Sequence, residues 1–197
     1  IPVLPTLFFK RKALFSMPQW RMALKVTSSG TSGKFSRIGF DWGCILAEAA
    51  MVINLGFRHH LVSPKPAHCV ILGYKPHKSN HTGVTRTMFG LTHFSLPLSR
   101  TYALHMVDGA YVPDLDSVAN ALKRLERSRF PTRVIGFPSY LWFGLKRMEE
   151  LGLRVKLPRG SRIILAGGWK QHAAQEVDKG TLYALAERVL GIPEDNI

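Results

Sequence analysis

Short runs of β-branched and apolar residues alternate with amphipathic stretches along this chain of 197 residues. This order favours a mostly parallel sheet with helices on both faces. Ligands of such α/β sheets bind at the loops that leave the carboxyl ends of the strands, so a functional site is expected in those loops. The pattern predicts strands at 22–26, 68–74, 102–107, 133–137 and 162–166, and helices at 41–55, 82–94, 114–128, 141–151 and 182–189.

The stretch 114–128 shows the helical pattern most clearly. Asp114 can cap its first turn, while Val118 and Leu122 recur on one face and Lys123 stays on the opposite, solvated face. The last helix is expected to end at Gly191, because glycine readily adopts the left-handed conformation that terminates helices. These features predict amphipathic helices that cover a sheet.

Composition narrows the class of protein further. Hydrophobic residues make up 46% of the chain, which suits a sizeable core and excludes a disordered polyelectrolyte. The longest apolar stretch, 44–57, is interrupted by Glu48 and Asn54 and is too short to span a bilayer. Two cysteines make no disulfide framework, and no secretory leader pattern is apparent. We expect a cytoplasmic protein in which residues 1–197 form a single α/β region, a fragment of a larger domain with no internal boundary and no transmembrane segment.

The chain is strongly basic, with 27 Lys and Arg against 13 Asp and Glu and a formal charge of +14. Such a charge attracts nucleic acid, acidic membranes or phosphorylated small molecules. The basic residues are scattered, and none of their runs reaches the length of a polybasic tail, so solvated helix faces are the favoured interpretation. A non-catalytic basic module that binds nucleic acid or anionic surfaces remains the alternative.

A segment of Ser, Thr and Gly that ends in lysine follows the first predicted strand. Glycines let backbone N–H groups approach an anion, hydroxyls donate further hydrogen bonds, and lysine adds positive charge. The spacing of the glycines is too short for a Walker A loop, and a flexible linker is the alternative. The residue types therefore predict a polyphosphate-binding loop made by Thr27, Ser28, Ser29, Gly30, Thr31, Ser32, Gly33 and Lys34.

A second signal follows the strand predicted at 162–166, where the chain reads Gly167-Gly168-Trp169-Lys170. The two glycines permit close approach of the backbone to a flat ligand, and the indole offers a broad apolar surface beside it. The alternative is a tryptophan that is simply buried at the exit of a strand. Taken alone the motif is weak, and its value lies in its order after the Ser/Thr/Gly segment.

The two segments, together with Asp41, resemble those of the LuxE-type acyl-protein synthetases, a family within the adenylate-forming (acyl-activating) superfamily. The resemblance covers nearly the whole chain but only the central portion of a family member. It implies a fold that forms part of the large N-terminal domain of adenylate-forming enzymes. The chain departs from the superfamily signature at its end, since that signature closes with Pro-Lys and this chain reads Gly33-Lys34-Phe35-Ser36.

The resemblance implies a ligase that activates a fatty or other carboxylic acid with ATP as acyl-AMP and passes the acyl group to a thiol. That thiol would be a protein cysteine or a carrier, with Mg²⁺ as a cofactor and an acyl reductase complex as a further partner; nucleic acid is not expected to bind. Residues 27–34 would hold the β- and γ-phosphates, and the catalytic groups would lie beyond Ile197. The adenine would be bordered by Gly167, Gly168, Trp169 and Lys170.

Aromatic residues between the two motifs offer a wall for an acyl pocket, for which we predict Phe137, Pro138 and Ser139. Ordinary core packing is the alternative for these residues. Neither Cys44 nor Cys69 matches the acyl-accepting cysteine. Cys44 falls on an apolar helical face and Cys69 inside a strand, so both are predicted to be buried packing residues.

Histidines raise the question of a metal site. His77 and His81 stand four residues apart, but Pro76 and Asn80 place them in a loop, and no third ligand is evident nearby in the sequence. A zinc site needs a defined set of nitrogen and sulfur ligands in tetrahedral geometry. The sequence therefore predicts no bound metal other than the Mg²⁺ implied for ATP.

Overall fold

The computed structural model describes residues 5–28, 36–80 and 82–197. The described residues form two compact units, one within Ile1–Val62 and Lys78–Thr87 and the other within Ser63–His77 and Met88–Ile197. Each unit has its own sheet.

The first unit contains an antiparallel β-hairpin with helices beside it. Asp41 caps one of these helices, since its carboxylate Oδ1 accepts the N–H of Cys44 at 2.7 Å. The helix predicted from Asp41 is thereby confirmed, although it is longer than expected. The elements are α1 (Thr6–Arg11), β1 (Leu24–Thr27), β2 (Arg37–Phe40), α2 (Trp42–Arg58) and the start of α3 (Gly83–Leu91).

The second unit is an α/β layer structure around a five-stranded sheet. This unit also contains short 3₁₀ helices at Thr92–Phe94, Lys170–Gln175 and Glu194–Asn196. The strands and helices are β3 (Ala67–Tyr74), β4 (Pro97–Val107), β5 (Ala110–Pro113), α4 (Leu115–Leu125), β6 (Thr132–Gly136), α5 (Pro138–Glu150), β7 (Arg162–Leu165) and α6 (Lys179–Leu190).

The strand order of this sheet is β5-β4-β3-β6-β7. Strand β3 runs parallel to β4 and β6, and β6 runs parallel to β7, whereas β5 is antiparallel to β4. Val70, Ile71 and Ile135 on the central strands are fully buried, as expected for a sheet covered on its faces. The predicted mostly parallel α/β fold is confirmed.

Helix α4 shows why the helical predictions succeeded. The carboxylate of Asp114 accepts the N–H of Ser117 at 2.9 Å and so caps the helix, while Val118 and Leu122 are buried and Lys123 is exposed. Helix α6 ends as predicted at Gly191, which has a φ of +66°. The spacing of apolar residues and the helix-end signals in the sequence therefore predicted features of α4 and α6 correctly.

The first predicted strand does not join the parallel sheet. Residues 24–27 form a two-stranded sheet with β2, in an antiparallel register that places Leu24 opposite Phe40 and Thr27 opposite Arg37. The sequence analysis also missed β5, which forms a hairpin with β4 through the turn at Asp108 and Gly109, both at positive φ. An Asp-Gly pair is a recognised signal for such a turn.

Both cysteines were predicted to be buried, and this is confirmed for one and wrong for the other. Cys69 is 1% exposed and is a packing residue of β3, as expected. Cys44 is exposed, so its prediction as a buried residue is wrong. It lies in the first turn of α2, beside the cap Asp41, and this helix also exposes Trp42 at 70% and Leu46 at 66%. An apolar helical face predicts burial only when another element covers it.

Candidate functional site

The Ser/Thr/Gly segment connects β1 to β2 in the hairpin of the first unit. Thr27 and Arg37 face each other in register at the ends of β1 and β2. Just beyond them, the Ser28 N–H donates to the carbonyl oxygen of Ser36 at 3.0 Å, and the Ser36 N–H donates to Ser28 Oγ at 2.9 Å. These two hydrogen bonds fix the neck of the segment, so both of its ends are anchored on ordered strands.

Two of the eight residues predicted to bind phosphate are therefore placed, and both lie at the neck. Thr27 is the last residue of β1, and Ser28 is half-buried, with its hydroxyl oxygen accepting a backbone N–H. The remaining predicted residues lie outside the described part of the chain: Ser29, Gly30, Thr31, Ser32, Gly33 and Lys34.

The neck is supported from the side by the start of α3. Thr27 forms an isolated parallel bridge with Thr82. The hydroxyl of Thr82 donates to Asn80 Oδ1 at 2.7 Å and lies 2.8 Å from the hydroxyl of Thr85, which is 4% exposed. These polar groups form hydrogen bonds with one another, so the residue that pairs with the end of β1 is itself held in place.

Asp41, which belongs to the family resemblance, has a structural role in the described residues. The pKa of its carboxyl group lies below the ordinary value of 3.8, chiefly because it accepts the backbone N–H of Cys44. A side-chain hydrogen bond with Asp41 and the negative charge of its carboxylate raise the pKa of the Cys44 thiol. The negative charge of Asp41 therefore stands at the N-terminus of α2, where the helix dipole favours an anion.

In the second unit, the strands β6 and β7 end side by side. The Ala166 N–H donates to the carbonyl oxygen of Gly136 at 2.9 Å, which joins the two strand exits. Gly167 has a φ of +83°, and a Cβ built on it would stand 3.0 Å from the ring of Phe137. The segments predicted for adenine and for the acyl pocket thus meet at one edge of the sheet, as the rule for carboxyl ends leads one to expect.

The Gly-Gly-Trp-Lys turn has an exposed part and a buried part. Gly167 and Gly168 are exposed, so their backbone is accessible to a ligand. Trp169 is 6% exposed and meets the ring of Phe143 edge-on, with 6.5 Å between centroids. Lys170 begins the 3₁₀ helix Lys170–Gln175. The indole is thus a buried residue at a strand exit, which was the alternative that the sequence left open.

The predicted acyl residues lie where β6 passes into α5. Phe137 is 3% exposed and Ser139 is 2% exposed, while Pro138 is half-buried and begins the helix. The Phe137 N–H donates to the carbonyl oxygen of Leu72 at 3.1 Å, which ties this turn to the end of β3. Gly136 has a φ of +153° and allows the strand to approach Leu72 closely.

Further aromatic residues extend this edge of the sheet, and the sequence analysis did not assign two of them to the site. The ring centroid of His172 lies 4.9 Å from that of Phe143 and 5.7 Å from that of Tyr140, and both ring pairs are T-shaped. Tyr74, at the end of β3, lies 6.1 Å from Phe137, and burial raises the pKa of its hydroxyl group. The position of Tyr74 at a strand end was the signal that could have identified it.

Two general properties of the described residues bear on the chemistry. Within 5–28, 36–80 and 82–197, no group of three or more His, Cys, Asp or Glu side chains could hold a metal ion. None of the helices in those same ranges combines the length and the apolar character needed to cross a membrane.

Comparison with known proteins identifies the family. The family described as Acyl-protein synthetase, LuxE, matches residues 1–197. A protein of Vibrio harveyi named long-chain-fatty-acid–luciferin-component ligase is 25% identical over 181 residues, which cover 91% of this chain and 46% of that relative. The chain therefore spans about half the length of the curated relative that it matches. With the family match extending over its whole length, the chain belongs to the LuxE family of acyl-protein synthetases.

Proposed function

We propose that this chain contributes the nucleotide-binding part of an acid–thiol ligase that activates a fatty acid with ATP. In the proposed reaction a carboxylate oxygen attacks the α-phosphorus, an acyl–phosphate bond forms, and the α–β phosphoanhydride bond breaks with release of pyrophosphate. A thiolate then attacks the acyl carbon and AMP leaves. Membership of the acyl-protein synthetase family supports this reaction class, as does the name of the Vibrio harveyi relative.

The observation that carries the proposal is the hairpin neck at Ser28 and Ser36. Two hydrogen bonds of 3.0 and 2.9 Å hold the ends of a segment built from Ser, Thr and Gly. A ligand that carries several negative charges is best held by many donors whose positions are fixed in advance. We propose that residues 27–34 bind the β- and γ-phosphates, with Mg²⁺ bound to the same phosphates supplying further charge neutralisation.

The edge of the sheet in the second unit is proposed to take the flat and apolar parts of the substrates. We assign Gly167 and Gly168 to the adenine because their backbone is exposed. In this proposal the buried Trp169 holds the turn in position, and Lys170 follows Trp169 in the chain. The acyl pocket is proposed at Phe137, Pro138 and Ser139, beside the same turn.

The acyl acceptor and partners follow from the same family. We propose a cysteine of a protein or a carrier thiol as the acceptor, an acyl reductase complex as a partner and the cytoplasm as the place of the reaction. Cys69 is unsuited to be the acceptor, because it is buried and its thiol pKa is raised by burial. The alternative, a non-catalytic basic module, is not favoured by the family to which the chain belongs.

The experiment that tests this function is ATP–pyrophosphate exchange driven by a fatty acid, measured on the intact protein. Thr31→Ala removes one hydroxyl donor from the segment and should lower exchange by about ten- to a hundred-fold. Thr87→Ala, on the exposed side of α3, is the matched control and should leave exchange unchanged. Equal exchange rates in the wild type and Thr31→Ala would contradict the assignment of the phosphate site.

A further inference from the structure

A cavity of about 390 Å³ lies in the first unit, next to the neck of the Ser/Thr/Gly segment. Four of its lining residues are basic, and no carboxylate is among those lining residues. At about 30 Å³ for each water of the liquid, the space suits on the order of ten waters, which leaves room for a polyatomic anion. The lining consists of Phe9, Lys10, Arg11, Lys12, Ala13, Thr27 and Arg37.

The cations reach this cavity from two separate segments of the chain. Residues 10–12 come from the end of α1 and the turn after it, whereas Arg37 begins β2. Arg37 faces Thr27 across the hairpin, and this pair is next to the hydrogen-bonded neck, since Thr27 precedes Ser28 and Arg37 follows Ser36. The cavity is therefore adjacent to the base of the proposed phosphate-binding segment.

Local structure explains only part of this concentration of charge. Lys10 and Arg11 stand in the last turn of α1, where the helix dipole favours cations. The ammonium group of Lys12 lies 5.6 Å from the centre of the Phe8 ring, which is a weak cation–π contact. Neither contact accounts for Arg37, which stands on a strand. Among the described residues, no carboxylate lies within ion-pair distance of Arg11, Lys12 or Arg37.

We propose that this cavity is itself a polyphosphate-binding site, in which Arg11, Lys12 and Arg37 bind phosphate oxygens together with the hydroxyl of Thr27. Guanidinium groups suit this ligand because they stay charged and can donate two parallel hydrogen bonds to one phosphate. The inference rests on the proposed function in one respect, namely that the polyphosphate is that of the nucleotide or the pyrophosphate it releases. An anion in the cavity would be attracted by all of these cations at once.

An anionic membrane surface is the other ligand class that this charge could attract. Phe8 and Phe9 beside the cations are 37% and 41% exposed, which suits insertion into a lipid interface. The polyphosphate is favoured because the cations converge on a cavity that Thr27 and Arg37 also line. Membrane binding requires only an outward-facing basic and apolar surface.

The test is titration calorimetry of the chain with inorganic tripolyphosphate and with pyrophosphate. The double variant Arg11→Gln/Arg37→Gln changes two exposed residues and should weaken tripolyphosphate binding by about a hundred-fold, or about ten-fold for each cation. The control Lys123→Gln/Arg124→Gln removes the same charge from the exposed face of α4 and should change affinity by less than about two-fold. Equal weakening in both variants, or none in the first, would overturn the inference.

Two further readouts separate this inference from its rivals. If Arg11→Gln/Arg37→Gln lost affinity only for phosphatidylserine-containing vesicles and kept its affinity for tripolyphosphate, the cavity would be a membrane contact and the inference would be wrong. If fatty-acid-dependent exchange were absent from the intact wild type while tripolyphosphate binding still depended on Arg11 and Arg37, the proposed function would fail and the cavity assignment would stand.

Discussion

Replacing Gly136 with alanine should destabilise the second unit strongly. Gly136 has a φ of +153°, and an added Cβ would overlap the carbonyl oxygen of Leu72 and stand 2.7 Å from its carbonyl carbon. Holding alanine at such a φ costs about 1–3 kcal/mol. Moving the strand away weakens the hydrogen bond of 3.1 Å from the Phe137 N–H to Leu72, which contributes about 0.5–1.5 kcal/mol.

Together these terms predict a loss of about 2–4 kcal/mol for Gly136→Ala. That loss is a large part of the total stability of a domain, about 5–15 kcal/mol, and corresponds to a fall in Tm of roughly 5–15 °C. Urea unfolding followed by circular dichroism measures it. Gly144→Ala is the matched control, because Gly144 lies within α5 and an added Cβ meets nothing within 4 Å. The control should be stabilised by about 0.5–1 kcal/mol, and a Gly136→Ala protein as stable as the wild type would refute the reasoning.

Gly167→Ala should lower the free energy of unfolding by about 1–2 kcal/mol because of the positive φ at this position, which urea unfolding measures. It should also weaken ATP binding by displacing the ring of Phe137, which calorimetry with ATP measures. Asp41 has a lowered pKa, so the stability that its carboxylate gives to the folded chain is present above pH 3.8 and is lost as the pH falls through the folded-state pKa. Asp41→Asn should reduce this fall in stability at acid pH, as followed by melting curves. A thiol reagent should modify exposed Cys44 in the native chain and buried Cys69 only in denaturant, and mass spectrometry of the labelled peptides would show the opposite order if this account were wrong.

Much of the fold followed from local patterns in the sequence. The cap at Asp114 and the left-handed Gly191 mark helix ends that depend on neighbouring residues only. The antiparallel return of β2 did not follow from the sequence, because pairing between β1 and β2 is decided by tertiary contacts rather than by either strand alone. The turn at Asp108 and Gly109 carried a hairpin signal that was present and overlooked.

The candidate site was predictable to a different degree in its two parts. The meeting of Phe137 with Gly167 followed from the rule that parallel strands end at one edge of the sheet. The burial of Trp169 and the contact of His172 with Phe143 depend on the path of the short helix after the turn, which residue types do not fix. The basic cavity was missed for a similar reason, because Arg37 and residues 10–12 are distant in the sequence and are brought together by the tertiary structure.

Amide hydrogen exchange of the intact protein, with and without ATP and Mg²⁺, tests most directly whether the Ser/Thr/Gly segment binds the nucleotide phosphates. The account predicts that ATP slows exchange in peptides that cover 27–36 and 166–169. Exchange along the exposed basic face of α4 should be unaffected. Unchanged exchange in 27–36 at saturating ATP, or protection confined to α4, would contradict the central claim.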